Sequence, residues 1–146
     1  MITTEKLMAA KPCSRWPEER IRSVVGGGVS ARDLSERCFD VGARIWALLA
    51  TLPVEAYADI GRWGFDVMRA SYAVADNLHR REYFVRSALS GISALEIEAA
   101  QRECFWTYAL SFLYDIGDLI DAVFGRDGDA EVLERLVEAH ETYGTT

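Results

Sequence analysis

A chain of 146 residues, 50% hydrophobic and with four Trp, is sized for one domain with its own core and is not a disordered acidic tail. Its formal net charge of −7 disfavours direct binding to nucleic acid or to an anionic membrane. Three Cys at wide spacing, Cys13, Cys38 and Cys104, fit reduced thiols in a bacterial host cytoplasm better than a disulfide framework.

Thr3 and Thr4 ahead of Glu5, Lys6 and Leu7 predict a short opening helix. Lys11-Pro12 ends it, because a residue before proline disfavours the helical region. Pro17, Glu18 and Glu19 read as the first turn of a second helix, with acids at the positive end of its dipole. Gly26, Gly27 and Gly28 close it. Residues 1–28 are thus a short helical lead-in, and 29–146 form the bundle proper. Ser30-x-x-Asp33 resembles a capping arrangement before a helix over about 30–50, with Leu34, Cys38, Val41, Ile45 and Leu48 or Leu49 in register. Pro53 is the next boundary. A helix over about 54–89 carries Tyr57, Ile60, Trp63, Val67, Met68 and Tyr72, with a bend expected near Asp76-Asn77. Gly91 stops it. Ser93-x-x-Glu96 is a capping box for a helix to Phe124, and Asp129 is placed to cap a last helix to about Tyr143. No segment alternates with period two. The fold class is all-α: five or six helices, the three long ones in an antiparallel bundle and the last packed across it.

Charge is divided along the chain. Residues 1–90 carry 13 Lys+Arg against 11 Asp+Glu, a net of +2, and residues 91–146 carry 3 against 12, a net of −9. On a helical projection with Asp115 at zero, Phe105, Tyr108, Phe112, Ile116, Leu119, Ile120 and Val123 fill an arc from about 20° to about 140°. Asp115, Asp118 and Asp121 fall on the other side, and Glu96 and Glu103 join them. The plain reading is a solvated face. The functional reading is a surface for a basic partner, supported by the scarcity of interleaved cations: only Arg102 and Arg126 are near in sequence. Trp106, at the edge of the apolar arc, is the candidate interface anchor.

Other chemistry is weaker. A carboxylate row suits Mg²⁺ or Mn²⁺, but a drift of about 120° splays Asp115, Asp118 and Asp121 apart, and no ExxH pair supplies a di-iron site. His79-Arg80-Arg81 with Arg86 is a small basic cluster, interleaved with Tyr83 and Phe84. Its expected role is ion pairing with the acidic third, within the chain or across a homodimer. His79 and His140 have no nucleophile at a recognisable spacing and read as surface or boundary residues. Gly26 to Gly28 lacks the form of a phosphate loop. Trp46, Trp63, Phe65, Phe105, Tyr108 and Phe112 read mainly as core. No cofactor is implied and no catalytic motif is present. No apolar run approaches the roughly 20 residues of a membrane span, and MITTEKLMAA lacks the apolar stretch of a signal peptide, so no membrane partner is expected.

Residues 2–38 resemble an N-terminal segment common in phage and prophage accessory proteins, through Thr4, Leu7, Ala10, Cys13, Arg20-Ile21, Gly26 to Gly28 and Val29-Ser30. Pro12 and Trp16-Pro17 depart from that pattern. The resemblance implies a mobile-element origin. By analogy of class it implies inhibition of a host nucleic-acid-handling complex, as by the phage-encoded CRISPR inhibitors, several of which present carboxylates where phosphates are expected. The expected partner is then the basic surface of a nucleic-acid-binding protein. Two alternatives stand beside this: a homo-oligomeric phage structural or assembly module, and a metal-dependent helical hydrolase acting through the Asp row.

Overall fold

The computed structural model describes residues 1–37, 40–74 and 102–144, with side chains described for 1–37, 40–71 and 110–144. The fold is all-α. The elements are α1 (Thr4–Ala9), α2 (Glu18–Val25), α3 (Ala31–Ser35), α4 (Val41–Ala50), a 3-10 turn (Val54–Ala56), α5 (Tyr57–Val74), α6 (Arg102–Leu119), a π-turn (Ile120–Phe124) and α7 (Gly128–Thr142). The one β feature among the described residues is an isolated antiparallel bridge between Ile2 and Val29. Its two backbone hydrogen bonds are 2.7 and 2.9 Å long.

Capping chemistry sets most of the boundaries. Thr3 accepts from the Lys6 N–H and starts α1. Ser30 Oγ accepts from the Asp33 N–H at 3.0 Å, as the sequence pattern predicts. The single helix expected over 30–50 is instead two. α3 stops at Ser35, and Asp40 opens α4 by accepting from the Ala43 N–H at 2.8 Å. An Asp with extended backbone satisfies an orphan donor that a continuous helix would not have. The cap of the last helix is Asp127, which accepts from the Ala130 N–H at 3.2 Å, two residues earlier than Asp129. The expected bend at Asp76-Asn77 and the capping box at Ser93 and Glu96 lie outside the described residues, as do His79 to Arg86.

The final helix, expected to pack across the bundle, is the centre of the packing among the described elements. α7 touches α3, α4, α5 and α6. Its Val132, Leu136 and Val137 join Phe112, Ile116 and Leu119 of α6 and Ile45, Leu48 and Leu49 of α4 in one buried cluster. Ile2, Leu7, Ile21, Val25 and Val29 belong to the same cluster. Each such side chain contributes about 1.5–3 kcal/mol by leaving water. Trp46 and Trp63 pack partly buried against this core, while Phe65 is 46% exposed, contrary to its expected place inside.

Two glycines let helices approach closely. A Cβ at Gly64 would overlap the Phe112 ring, and a Cβ at Gly128 would overlap the Gly117 backbone. α5 therefore accommodates the fully buried Phe112 ring of α6, and α7 begins directly against the α6 backbone. Between α6 and α7 the chain widens into the π-turn and leaves it through Gly125 in the left-handed conformation, at φ 65°.

His140, read from sequence as a surface or boundary residue, is fully buried. Its Nε2–H donates to the Leu48 carbonyl at 2.7 Å. That carbonyl lies in the last turn of α4, where no helical donor remains for it. Thr51 Oγ1 donates to the neighbouring Ala47 carbonyl at 2.7 Å and more distantly, at 3.4 Å, to that of Leu48 itself, and Tyr57 Oη donates to that of Leu49 at 3.4 Å. Burial, and to a lesser extent the N-terminal ammonium and Lys6, hold His140 below the ordinary imidazole pKa, although the Leu48 hydrogen bond opposes them.

Gly128→Ala should lower unfolding stability by about 3 kcal/mol, the upper part of the usual overpacking range, as measured by urea unfolding. Gly27→Ala, which meets nothing within 4 Å, should change it by less than about 0.5 kcal/mol. The lowered pKa of His140 gives a second expectation. The unfolded chain takes up the proton first as pH falls, so stability is full above about 6.5 and declines from there down to the folded-state value. Urea unfolding at pH 7.5 and 5.5 should show this loss, and His140→Gln should reduce the difference.

Candidate functional site

The acidic surface is built where α6, the π-turn and the start of α7 meet. The apolar side of α6 is as its periodicity predicts: Phe112, Ile116, Leu119 and Ile120 are completely buried. The carboxylates on the other side have unequal roles. Asp115 is half-buried and engaged in further interactions. Asp118 is exposed and has no ion pair among the described residues. Asp121 is exposed too, but its Oδ1 accepts from the Gly128 N–H at 3.0 Å. The expected row of three thus divides into a half-buried residue, an open one and one bound to the first N–H of α7.

Asp127 and Asp129 complete the cluster from the other side of the turn. Asp129 is half-buried and its carboxyl is raised above the ordinary range, first by burial and then by Asp121, Asp127 and Asp118. The four acids share one local field. Asp118, Asp121, Asp127 and Asp129 therefore define the ridge, in place of Asp115, Asp118 and Asp121. A signal for this was present in the sequence: Asp127 and Asp129 flank Gly128, and a glycine at a helix start permits close approach.

Further along α7 the acidity is neutralised. Arg32 of α3 reaches both Glu134, at 3.1 Å, and Glu141, at 2.8 Å. Its guanidinium is pushed up by Glu141 and Glu134, and the Glu141 carboxyl is held down by Arg32. Arg126 holds Glu131 with two contacts, of 2.5 and 3.3 Å, and lies 4.9 Å from the Phe124 ring centre. Arg135 stands 3.7 Å from Glu138. The scarcity of cations read from local sequence is thus corrected by Arg32, a residue 102 positions from Glu134. Glu96 lies outside the described residues. Glu103 and Trp106 lie on the described backbone of α6, with side chains outside the described set.

A second feature adjoins this one at Tyr114, one turn before Asp118 on α6. Tyr114 lines a cavity of about 590 Å³ formed with α4 and the link between α1 and α2. Burial, then Asp129 and Asp40, raise its phenol above the ordinary value, so the hydroxyl keeps its proton. Arg15, Trp16, Arg20 and Trp46 also line this space. The sequence hint was Trp16-Pro17 between basic residues.

Among the described residues no group of three or more His, Cys, Asp or Glu side chains could hold a metal ion, and no helix is long and apolar enough to cross a membrane. Cys13 is a free, exposed thiol. Comparison with protein-family models, with curated proteins and with solved structures finds no match.

The shared field of the ridge is measurable. Carboxyl titration by NMR should place Asp129 above its ordinary value of 3.8. Asp118→Asn should bring it part of the way back.

Proposed function

We propose that this protein works by binding rather than by catalysis, seating its acidic ridge on the basic surface of a nucleic-acid-binding protein or complex. The specific reading is an inhibitor of a host defence complex encoded by a phage or other mobile element, of the kind represented by the CRISPR inhibitors. The observation that carries it is the placement of Asp118 and Asp129. On a surface where Glu131, Glu134, Glu138 and Glu141 each meet an arginine, these two carboxylates have no cationic partner among the described residues. A basic groove built to receive phosphates would supply the missing charge. Direct nucleic-acid binding by the ridge is opposed by its sign. The N-terminal resemblance to phage accessory proteins supports the same origin.

The half-buried place of Asp115 and the bond of Asp121 to the start of α7 decide how this is tested. Reversing Asp121 would remove the hydrogen bond to Gly128, and loss of a helix cap costs about 1 kcal/mol. Asp118→Lys with Asp129→Asn alters the ridge and leaves the hydrogen bonds of Asp121 and Asp127 to the start of α7 in place. Wild-type protein used as bait in a bacterial host lysate should retain a nucleic-acid-handling complex. Retention should fall between about 0.1 and 1 M salt, as the screening length shrinks from about 10 to about 3 Å. The double variant, checked for unchanged helical circular dichroism, should lose the complex. If the folded double variant retains it equally well, the ridge is only a solvated face. Recovery of a second copy of this chain alone would favour the homo-oligomeric module instead.

A further inference from the structure

We propose that the cavity between the α1–α2 link, α4 and α6 binds a small planar aromatic anion. This site differs in composition from the acidic ridge, although Asp129 of the ridge acts on its Tyr114, and it stands or falls independently of the function proposed above.

Size comes first. A volume of about 590 Å³ falls within the roughly 300–1,000 Å³ of small-molecule pockets, and it is formed by three separate parts of the chain. The floor is apolar. A second, smaller space of about 20 Å³ shares Trp16, Ala43 and Trp46 with the main cavity and is otherwise closed by Leu7, Ile21 and Ala47. Such a recess holds about one water at most and offers it no polar partners, so it favours an apolar ring edge. Two indoles at the floor give a flat ligand ring surfaces to stack on or meet edge to face.

The rim has the opposite character. Arg15 and Arg20 have no carboxylate partner among the described residues, whereas Arg22, Arg32, Arg62, Arg126 and Arg135 each have one. Arg20 is also held in place. Its Nη1 donates to the Arg15 carbonyl at 2.7 Å, and its guanidinium carbon stands 3.8 Å from the Trp16 ring centre. A guanidinium fixed in this way keeps its remaining donors oriented for an anion and loses little freedom on binding one. The acid among the lining residues, Asp40, already accepts the Ala43 N–H as the cap of α4. At the far wall Tyr114 keeps its proton and can donate to a ligand oxygen. Its hydroxyl lies 3.2 Å from where a Cβ at Gly42 would stand, so glycine leaves room for it.

An apolar floor and a cationic rim select a ligand with both parts. A bare inorganic anion would gain nothing from the apolar floor, and a neutral ring would leave two guanidinia without a carboxylate or phosphate partner. A free mononucleotide and an aromatic carboxylate share the required chemistry. Adenosine 5′-monophosphate and indole-3-acetate are therefore the probes, with adenosine, indole-3-ethanol and inorganic phosphate as partial ligands.

Calorimetry should show saturable binding of at least one anionic probe, with Kd at or below about 1 mM. The partial ligands should bind at least about tenfold more weakly. In NMR spectra the indole N–H signals of Trp16 and Trp46 should shift while that of Trp63 stays. Arg15→Gln with Arg20→Gln alters two exposed side chains and should weaken binding about tenfold or more. With wild-type protein, the bound probe should slow alkylation of Cys13, which lines the same cavity. Binding of the nucleotide alone identifies a phosphate-bearing ligand, and of indole-3-acetate alone a carboxylate. The proposal is overturned if neither anionic probe saturates, if the neutral rings bind equally well, or if Cys13 alkylation is unchanged by saturating probe.

Discussion

The hydrogen bond from His140 to the Leu48 carbonyl ties the centre of this fold together. It joins the end of α7 to the end of α4 inside the core, at a carbonyl that the geometry of a helix leaves without a donor. The Thr51 hydroxyl also reaches that carbonyl, but at 3.4 Å, so the 2.7 Å imidazole bond is the stronger of the two, and a bond of this kind contributes about 0.5–1.5 kcal/mol net. With the last turn of α7 fixed there, its first turn is brought against α6, where Gly128 meets the Gly117 backbone. The acidic ridge is therefore positioned from the opposite end of the helix. Its geometry follows from core packing, and its chemistry follows from the turn that enters α7.

Much of the architecture can be read from local pattern. The all-α class follows from apolar spacing of three and four, and the apolar side of α6 follows from the same period. The caps at Thr3 and Ser30 sit where short hydroxyl side chains precede helix formers. What local pattern misses has one common cause: partners distant in sequence. Apolar residues stay in register across 34–48, so periodicity alone does not show that Asp40 interrupts the helix. His140 resembles any polar residue on an amphipathic helix until α4 is placed beside it. Arg32 is an ordinary surface arginine until α3 packs on α7, and its two ion pairs then remove part of the acidity that the charge division suggested.

The π-turn is a different case. Ile120, Asp121, Ala122, Val123 and Phe124 contain nothing that forbids a continued α-helix. Packing of Gly128 on Gly117 requires the chain to turn back tightly, and the wider turn redirects Asp121 toward the Gly128 N–H. A helical projection that assumes a constant 100° per residue keeps Asp121 on the exposed side, where it lies, but does not show its bond to the Gly128 N–H, and it gives no sign that Asp115 is half-buried. Asp118, still within regular helix, keeps the exposed position that the projection assigns.

Whether the acidic ridge exists for structure or for binding can be weighed residue by residue. Carboxylates at the start of a helix gain from its free N–H groups, by about 1 kcal/mol for a cap and about 0.3–1 kcal/mol for charge near the dipole. Asp121 and Asp127 each accept such an N–H, so the stability of α7 accounts for both. Asp129, in the first turn, gains from the dipole but is opposed by burial and by three neighbouring acids, as its raised pKa records. Asp118 lies on α6 beyond the first turn of α7, makes no capping bond, and adds to the repulsion on Asp129. Among the described residues no cation meets that carboxylate, and a neutral polar residue would serve the exposed position equally well. The structural explanation covers two of the four acids fully and a third in part. Asp118 is left as the acid with neither a capping bond nor a cationic partner among the described residues, and its sign and exposure are what the proposed basic partner surface would meet.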